Sequence, residues 1–188
     1  MTRPLLTGAE LFHSATASLD TTVVDFWRWA YSDLAANNTR ALVAEFLVAR
    51  ALGQTARPRL EWDAVDVVVD GVKVEVKCAG YVQTWAQKKA SAIRFDIASK
   101  LGWDAATNTS AAVSSRAADV YVFALHAHKE RESLDVLDFA QWEFYVVARR
   151  TLDERLPKQR NASMATLIRI GATSVTYDAL REAVLAAK

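Results

Sequence analysis

The chain has 188 residues, of which 52% are hydrophobic and 24% charged, and its formal net charge is +1 at pH 7. This length suits one folded domain with a sizeable core, and the near-neutral charge excludes a protein that attracts nucleic acid through an overall basic field. The single cysteine, Cys78, excludes an intramolecular disulfide, and no apolar run approaches the ~20 residues needed to cross a bilayer. Because the N-terminus also lacks a hydrophobic signal segment, we expect a cytoplasmic protein.

The first part of the sequence predicts helices. A short helix is expected around residues 7–12, and Asp20 offers a cap for a helix that runs to about residue 35 with apolar residues at helical spacing. Asn37-Asn38-Thr39 interrupts this pattern and caps a second helix over residues 40–52. That helix is apolar nearly all round, which predicts burial on most of its sides.

Glu45 is the one acidic residue of this second helix. A buried carboxylate is costly unless it finds a cation, hydrogen-bond donors or water. Two interpretations stay open: a salt bridge to an arginine such as Arg40 or Arg50, or a place in a site formed with the segment that follows.

Residues 62–77, W-D-A-V-D-V-V-V-D-G-V-K-V-E-V-K, predict a β-hairpin. Asp70-Gly71 between two β-branched runs suits a two-residue turn in which both residues have positive φ. Side chains alternate along a strand, so six valines share one face and define the side that packs on the core. These are Val65, Val67, Val69, Val72, Val74 and Val76.

The opposite face of the hairpin carries Asp66, Glu75 and Lys77. With a two-residue turn, Asp66 lies opposite Glu75, and opposed side chains have Cβ atoms about 5 Å apart. Like charges at that distance are destabilising unless a cation lies near them, and magnesium takes one or two protein carboxylates while keeping several waters. A solvated face with a Lys–Glu pair is the alternative. Asp63 competes with Asp66 for the first position, but alternation places it on the valine face.

Asp66, followed by Glu75-Val76-Lys77 at a strand end, resembles the D…(D/E)-x-K signature of the restriction-endonuclease-like nucleases, the PD-(D/E)XK superfamily. The resemblance covers about residues 38–90, and Val65 stands where that family usually has proline. It implies an α/β fold with a restriction-endonuclease-like core, in which a central mixed β-sheet is flanked by α-helices. We expect a single nuclease-like domain over residues 1–188, with N-terminal helices over about 7–37, the core over about 38–150 and a helical tail over about 151–188.

The same resemblance implies a divalent-metal-dependent nuclease that hydrolyses phosphodiester bonds, with DNA as the expected substrate. Magnesium, for which manganese would substitute, would be held by Asp66, Glu75 and the Val76 carbonyl, and Glu45 would complete the shell directly or through water. Lys77 would orient or help to deprotonate the attacking water. A homodimer is also expected from the resemblance alone. The alternative function is a catalytically inactive module on the same scaffold that binds nucleic acid or a protein partner.

The segment after Lys77 carries candidate nucleic-acid contacts in a helix or loop over residues 82–90. Glutamines four residues apart would share a helical face, and the basic residues form a local cationic cluster with aromatic residues interleaved. A solvated helix end would explain the charges equally well. The candidate residues are Gln83, Gln87, Lys88, Lys89 and Arg94.

The remaining sequence predicts a third strand over residues 93–98 and a long loop over 99–118, where we place substrate entry or a lid. The apolar run over 119–126 predicts a central strand buried on both faces, and 141–148 predicts the next strand. Helices are expected over 152–156 and 177–187. No Gly-rich phosphate loop follows a strand, which argues against the doubly wound nucleotide-binding folds.

Overall fold

The computed structural model describes residues 4–61, 63–104 and 109–188. A five-stranded mixed sheet lies at the centre of these parts of the chain. Its spatial order is β11 (Thr173–Val175), β9 (Trp142–Ala148), β8 (Val120–His126), β4 (Val72–Gly80) and β3 (Val67–Val69). Within this sheet β4 and β8 pair in parallel, and the other neighbours are antiparallel. The expected α/β fold with a central mixed sheet is confirmed, and it is compatible with a restriction-endonuclease-like core.

Helices cover both faces of the sheet. The described residues contain α1 (Val23–Tyr31), α2 (Asn37–Ala51), α3 (Arg149–Arg155), α4 (Met164–Arg169) and α5 (Leu180–Ala186). One core, here called the α2-side core, buries Ala44, Val48, Val74, Val122, Leu180 and Val184. The other, the α3-side core, buries Phe95, Ile97, Tyr121, Phe123, Leu152 and Leu167. None of the helices in the described residues has the length and hydropathy needed to cross a bilayer.

Within the described parts of the chain, three short two-stranded ladders lie outside the central sheet. They pair β1 (Leu11–His13) with β2 (Ser18–Thr22), β5 (Phe95–Asp96) with β10 (Asn161–Ala162), and β6 (Lys100–Asp104) with β7 (Thr109–Ser115). The last of these is exposed along most of its described length, with Leu101 and Val113 largely open to solvent.

The predicted hairpin is confirmed as β3 and β4. Val69 pairs with Val72, and the two turn residues Asp70 and Gly71 have φ angles of 49° and 79°. The buried strand is confirmed as well, because every residue of β8 is buried. Both predictions depended on local patterns: turn chemistry in the first case and a continuous apolar run in the second.

Several expected elements differ in the structure. The helix expected over residues 7–12 is wrong, because Leu11–His13 forms β1. The loop expected over residues 99–118 is also wrong. β6 and β7 occupy most of it, since each strand satisfies the other's backbone groups although small residues dominate β7. The third strand is confirmed only as the two-residue β5, which pairs with β10 rather than joining the central sheet.

Helix boundaries also shift. α1 starts after Thr22, whose side chain accepts a hydrogen bond from the Asp25 backbone N–H and whose own backbone N–H donates to the Asp25 carboxylate, so Asp20 is not the cap. α2 starts at Asn37, and its N-cap Ala36 makes no side-chain capping bond. Helix α4 and strands β10 and β11 were not expected, because each has only two to six residues and too little periodicity to recognise.

Candidate active site

Asp66 lies immediately before β3 and touches β4 through its side chain. The backbone ladder of the hairpin ends at the pair Val67–Val74, so Asp66 and Glu75 are not ladder partners as expected. Instead, the Asp66 carboxylate oxygen Oδ2 accepts a 2.7 Å hydrogen bond from the Val76 backbone N–H. The chain bends over residues 63–66, and Val65 packs in the α3-side core rather than with the other hairpin valines. The bend therefore brings the Asp66 carboxylate to the strand that carries Glu75 and Lys77.

Glu75 and Lys77 lie on β4 as neighbours on one face. Their pairing partners on β8 are Tyr121 and Phe123, which places both charged side chains on the side of the α3-side core. Lys77 Nζ donates to Glu75 Oε1 at 2.5 Å, and each side chain is only about one-fifth exposed. A partly buried ion pair of this kind is screened less by water than a surface pair.

The pKa of Asp66 is raised by its surroundings. Burial raises this pKa and the Glu75 charge raises it further, to about 6, against an ordinary value of about 4. The Val76 hydrogen bond and the Lys77 charge oppose this rise. The charges of Asp66, Glu75 and Lys77 therefore act on one another: the two carboxylates repel each other, and the Lys77 ammonium group attracts both.

Glu45 is paired with an arginine, but with neither Arg40 nor Arg50. Arg59 Nε lies 2.7 Å from both Glu45 carboxylate oxygens, and the Glu45 side chain is only 13% exposed. The Glu45 charge also contributes to the raised pKa of Asp66, and its place in a site with the hairpin stays a prediction. Arg59 belongs to the basic segment Arg57-Pro58-Arg59, which leads into the hairpin. No local pattern in the sequence marks this pair, because 14 residues separate its members.

A further acidic residue near the site was missed. Burial acts to raise the pKa of Asp96, but the Ala98 backbone N–H and Lys100 outweigh it and lower that pKa, and the Lys77 charge contributes to the lowering. Asp96 also forms a 3.2 Å ion pair with Lys100. Asp96 lies within the third strand that the sequence predicts over residues 93–98. No local pattern connects that strand with Lys77, so the sequence does not indicate that Asp96 lies near the site.

The donor set suits a hydrated hard cation better than a fully protein-bound one. Among the residues that the structure describes, no group of three or more His, Cys, Asp or Glu side chains is arranged to hold a metal. Asp66 and Glu75 supply two carboxylates, which is the number that magnesium usually takes from a protein. Their mutual repulsion, visible in the raised pKa of Asp66, would be relieved by a cation between them.

The segment that follows β4 is a loop, so the helical face expected for Gln83 and Gln87 is wrong. The two residues still meet, because the Gln83 backbone N–H donates to Gln87 Oε1 at 2.7 Å. Gln83 is buried, and its amide nitrogen donates to Gly80 O and to Ser91 Oγ. These bonds give Gln83 an internal role and leave its amide donors unavailable to a nucleic acid. Lys88, Lys89 and Arg94 are exposed, as a nucleic-acid contact requires, and Gln87 is half-buried.

One comparison with known proteins found a match. The family model described as bacteriophage T4 endonuclease IV matches residues 20–151, a span that includes α1, α2, the hairpin and strands β8 and β9. No curated protein and no solved structure matches the chain. The matched span covers well over half of the chain and contains Glu45, Asp66, Glu75 and Lys77. The chain therefore belongs to the bacteriophage T4 endonuclease IV family, a family of nucleases.

Proposed function

We propose that this protein is a divalent-metal-dependent nuclease that hydrolyses phosphodiester bonds in DNA, with a site of the PD-(D/E)XK type. The observation that carries the proposal is the joining of Asp66, Glu75 and Lys77 by one hairpin. Asp66 is bonded to the strand at Val76, and Glu75 is paired with Lys77. Membership of an endonuclease family supports the nuclease class.

In this proposal Asp66, Glu75 and the Val76 carbonyl hold magnesium or manganese. When bound, the cation supplies Lewis-acid stabilisation of the charge that builds on the phosphate. Asp66 keeps its orientation through the Val76 N–H, so the carboxylate is positioned before any metal arrives. Glu45 would reach the cation through water rather than directly, since both of its carboxylate oxygens accept a hydrogen bond from Arg59.

Lys77 acts in this proposal as a cation and a hydrogen-bond donor. Its ion pair with Glu75 Oε1 at 2.5 Å suits a side chain that donates hydrogen bonds rather than one that acts as a base. The ammonium group can instead orient the attacking water and stabilise negative charge on the phosphate oxygens as it develops. This role is electrostatic, so a neutral side chain of similar length would not replace it.

Cleavage of supercoiled plasmid, linear duplex and single-stranded DNA would test the proposal, each with magnesium, with manganese and with EDTA. We expect metal-dependent cleavage that Lys77→Met reduces by at least about 100-fold, because it removes the transition-state cation. Lys73→Met is the matched control, since Lys73 lies on the same face of β4 but is exposed. Equal cleavage by folded Lys77→Met and Lys73→Met proteins would contradict the assignment.

The role of Asp66 is tested by a variant with a matched control. Asp66→Asn should abolish cleavage, whereas Asp63→Asn should retain it, because the Asp63 carboxylate is exposed and accepts a hydrogen bond from the adjacent Ala64 N–H.

Calorimetry with manganese then separates an inactive enzyme from a binding module. Absence of both cleavage and manganese binding would favour the catalytically inactive module. The homodimer stays a prediction, which the mass of the protein in solution would test.

A further inference from the structure

Arg40 is a buried cation with only neutral partners. It is 2% exposed, and its guanidinium donates to Val82 O at 2.6 Å, to Asn37 Oδ1 at 2.7 Å and to Gln83 Oε1 at 3.0 Å. No salt bridge to Arg40 exists within residues 4–61, 63–104 and 109–188. The other buried arginine, Arg116, is ion-paired with Asp153 at 2.6 Å.

A buried charge without an opposite charge is unusual in a folded protein, because desolvation is not offset. Burial lowers the pKa of Arg40, and the Arg40 charge contributes to the lowered pKa of the buried His126. The neighbouring Cys78 is half-buried, and burial raises the pKa of its thiol to about 12, so it supplies no negative charge at neutral pH. The fold nevertheless makes room for the guanidinium, since a Cβ at Gly80 would lie 2.6 Å from Arg40 Nη1.

Arg40 lines a surface groove of about 410 Å³. Arg94, whose side chain is exposed, lines the same groove, and none of the described residues that line it is acidic. Asn37, the first residue of α2, also lies there, and the N-cap of this 15-residue helix makes no side-chain capping bond. The backbone N–H groups at a helix start carry partial positive charge, so they add to the two guanidinium groups.

We propose that this groove binds a phosphate group of the nucleic-acid strand whose cleavage is proposed above. Two arginines and a helix start favour an anion, and arginine matches the geometry of phosphate oxygens. Gly80 lies three residues beyond Lys77 on β4, which at about 3.3 Å per residue puts the groove roughly 10 Å from the cleavage site. A strand held in the groove would therefore present a neighbouring phosphodiester to Asp66, Glu75 and Lys77. This inference rests on the proposed nuclease function.

The first test uses inorganic phosphate and chloride at matched ionic strength, with EDTA present and thermal unfolding as the readout. We expect phosphate to raise the melting temperature of the wild-type protein above its value in chloride. Arg40→Met and Arg94→Gln should each remove most of that difference, and Arg169→Gln, an exposed charge change on α4, should retain it. If Arg40→Met fails to fold, Arg94→Gln decides alone, because its side chain is exposed. Equal stabilisation by the two anions, or an unchanged phosphate effect in Arg94→Gln, would overturn the proposal.

The second test asks whether the anion belongs to a nucleic-acid strand. Binding of a short DNA oligonucleotide is measured in EDTA at several salt concentrations, with cleavage prevented by Asp66→Asn in every protein. Adding Arg94→Gln should weaken binding about fivefold and reduce the slope of log affinity against log salt by about 1. A phosphate effect without loss of oligonucleotide affinity would overturn the assignment to a strand. Phosphate binding through Arg40 and Arg94 in a protein that never cleaves DNA would support the groove and reject the nuclease proposal.

Discussion

The Asp66 carboxylate is mostly buried beside the like charge of Glu75, which makes its ionised form unfavourable. Burial and the Glu75 charge raise its pKa to about 6, so the folded protein holds this proton more tightly than the unfolded chain does. Between about pH 4 and pH 6 the folded state binds more protons, and stability therefore falls as the pH rises through this range. At neutral pH the folded protein bears the full cost of the ionised group, which is the cost that a bound cation would remove.

Asp66→Asn should therefore stabilise the metal-free protein at pH 7–8. We expect a gain of about 1–3 kcal/mol in the free energy of unfolding, because the amide removes the buried charge and can still accept the Val76 hydrogen bond. The gain should shrink as the pH falls through 6 and vanish below about 4, where both states hold the proton. Urea unfolding in EDTA over this pH range measures it.

Asp63→Asn is the control for this prediction, since the exposed carboxylate should contribute no more than about 0.5 kcal/mol. A gain in Asp66→Asn that is the same at pH 4 and pH 8 would show that electrostatics is not its origin. The combination of increased stability with lost cleavage would be the signature of a carboxylate kept for a ligand rather than for the fold.

At the scale of the element, the hairpin depends on its turn. Gly71 has a φ of 79° and Asp70 a φ of 49°, and the Asp70 carboxylate also pairs with Arg181 of α5 at 2.7 Å. A Cβ at Gly71 would meet no other atom, so any cost of a side chain there comes from the backbone conformation alone. The turn fixes the register of β3 against β4, and this register brings Asp66 to Val76.

Gly71→Ala should lower the free energy of unfolding by about 1–2 kcal/mol, the usual cost of the left-handed conformation for a residue with a side chain. Asp70→Asn is the matched change, because asparagine tolerates positive φ and only the exposed Arg181 pair is lost, at a cost of about 0.5 kcal/mol or less. Urea unfolding of both variants measures the difference. A larger loss in Asp70→Asn would show that the ion pair, and not the turn conformation, holds the hairpin.

At the scale of the whole molecule, Arg116 ties together segments that are distant in sequence. Its guanidinium donates to Ile97 O at 2.8 Å, to Asp153 Oδ1 at 2.6 Å and to Leu156 O at 2.9 Å. It thereby connects the segment after β5, the end of β7 and α3. The sequence does not single out Arg116, because an arginine in a polar stretch gives no sign of its partners.

Arg116→Met should destabilise the protein by about 2–4 kcal/mol, because it leaves two buried carbonyl groups without their donor. Asp153→Asn should cost under about 1 kcal/mol, since the Asp153 side chain is 48% exposed and water can replace the bond. Thermal or urea unfolding compares them. Similar costs for the two variants would show that the ion pair, rather than the carbonyl contacts, carries the stabilisation.

The sequence by itself determined the hairpin with its turn and register, the buried strand β8, the strand β9 and the helix that carries Glu45 before the hairpin. Each of these follows from a pattern within a few neighbouring residues, such as a two-residue turn, an alternation of side chains or an apolar run. The same local pattern singled out Asp66, Glu75 and Lys77. It placed the valine face correctly except at Val65, where a bend that no local signal marks ends the alternation.

Only the tertiary structure decided how those residues are held. The Asp66–Val76 hydrogen bond, the Glu45–Arg59 pair, the Asp96 carboxylate in the field of Lys77 and the groove around Arg40 all join segments separated along the chain. The hairpin of β6 and β7 was missed for the same reason, because its stability comes from the pairing of two strands and not from the propensity of either. Contacts of this kind depend on distances in space, and a periodicity in the sequence carries no information about them.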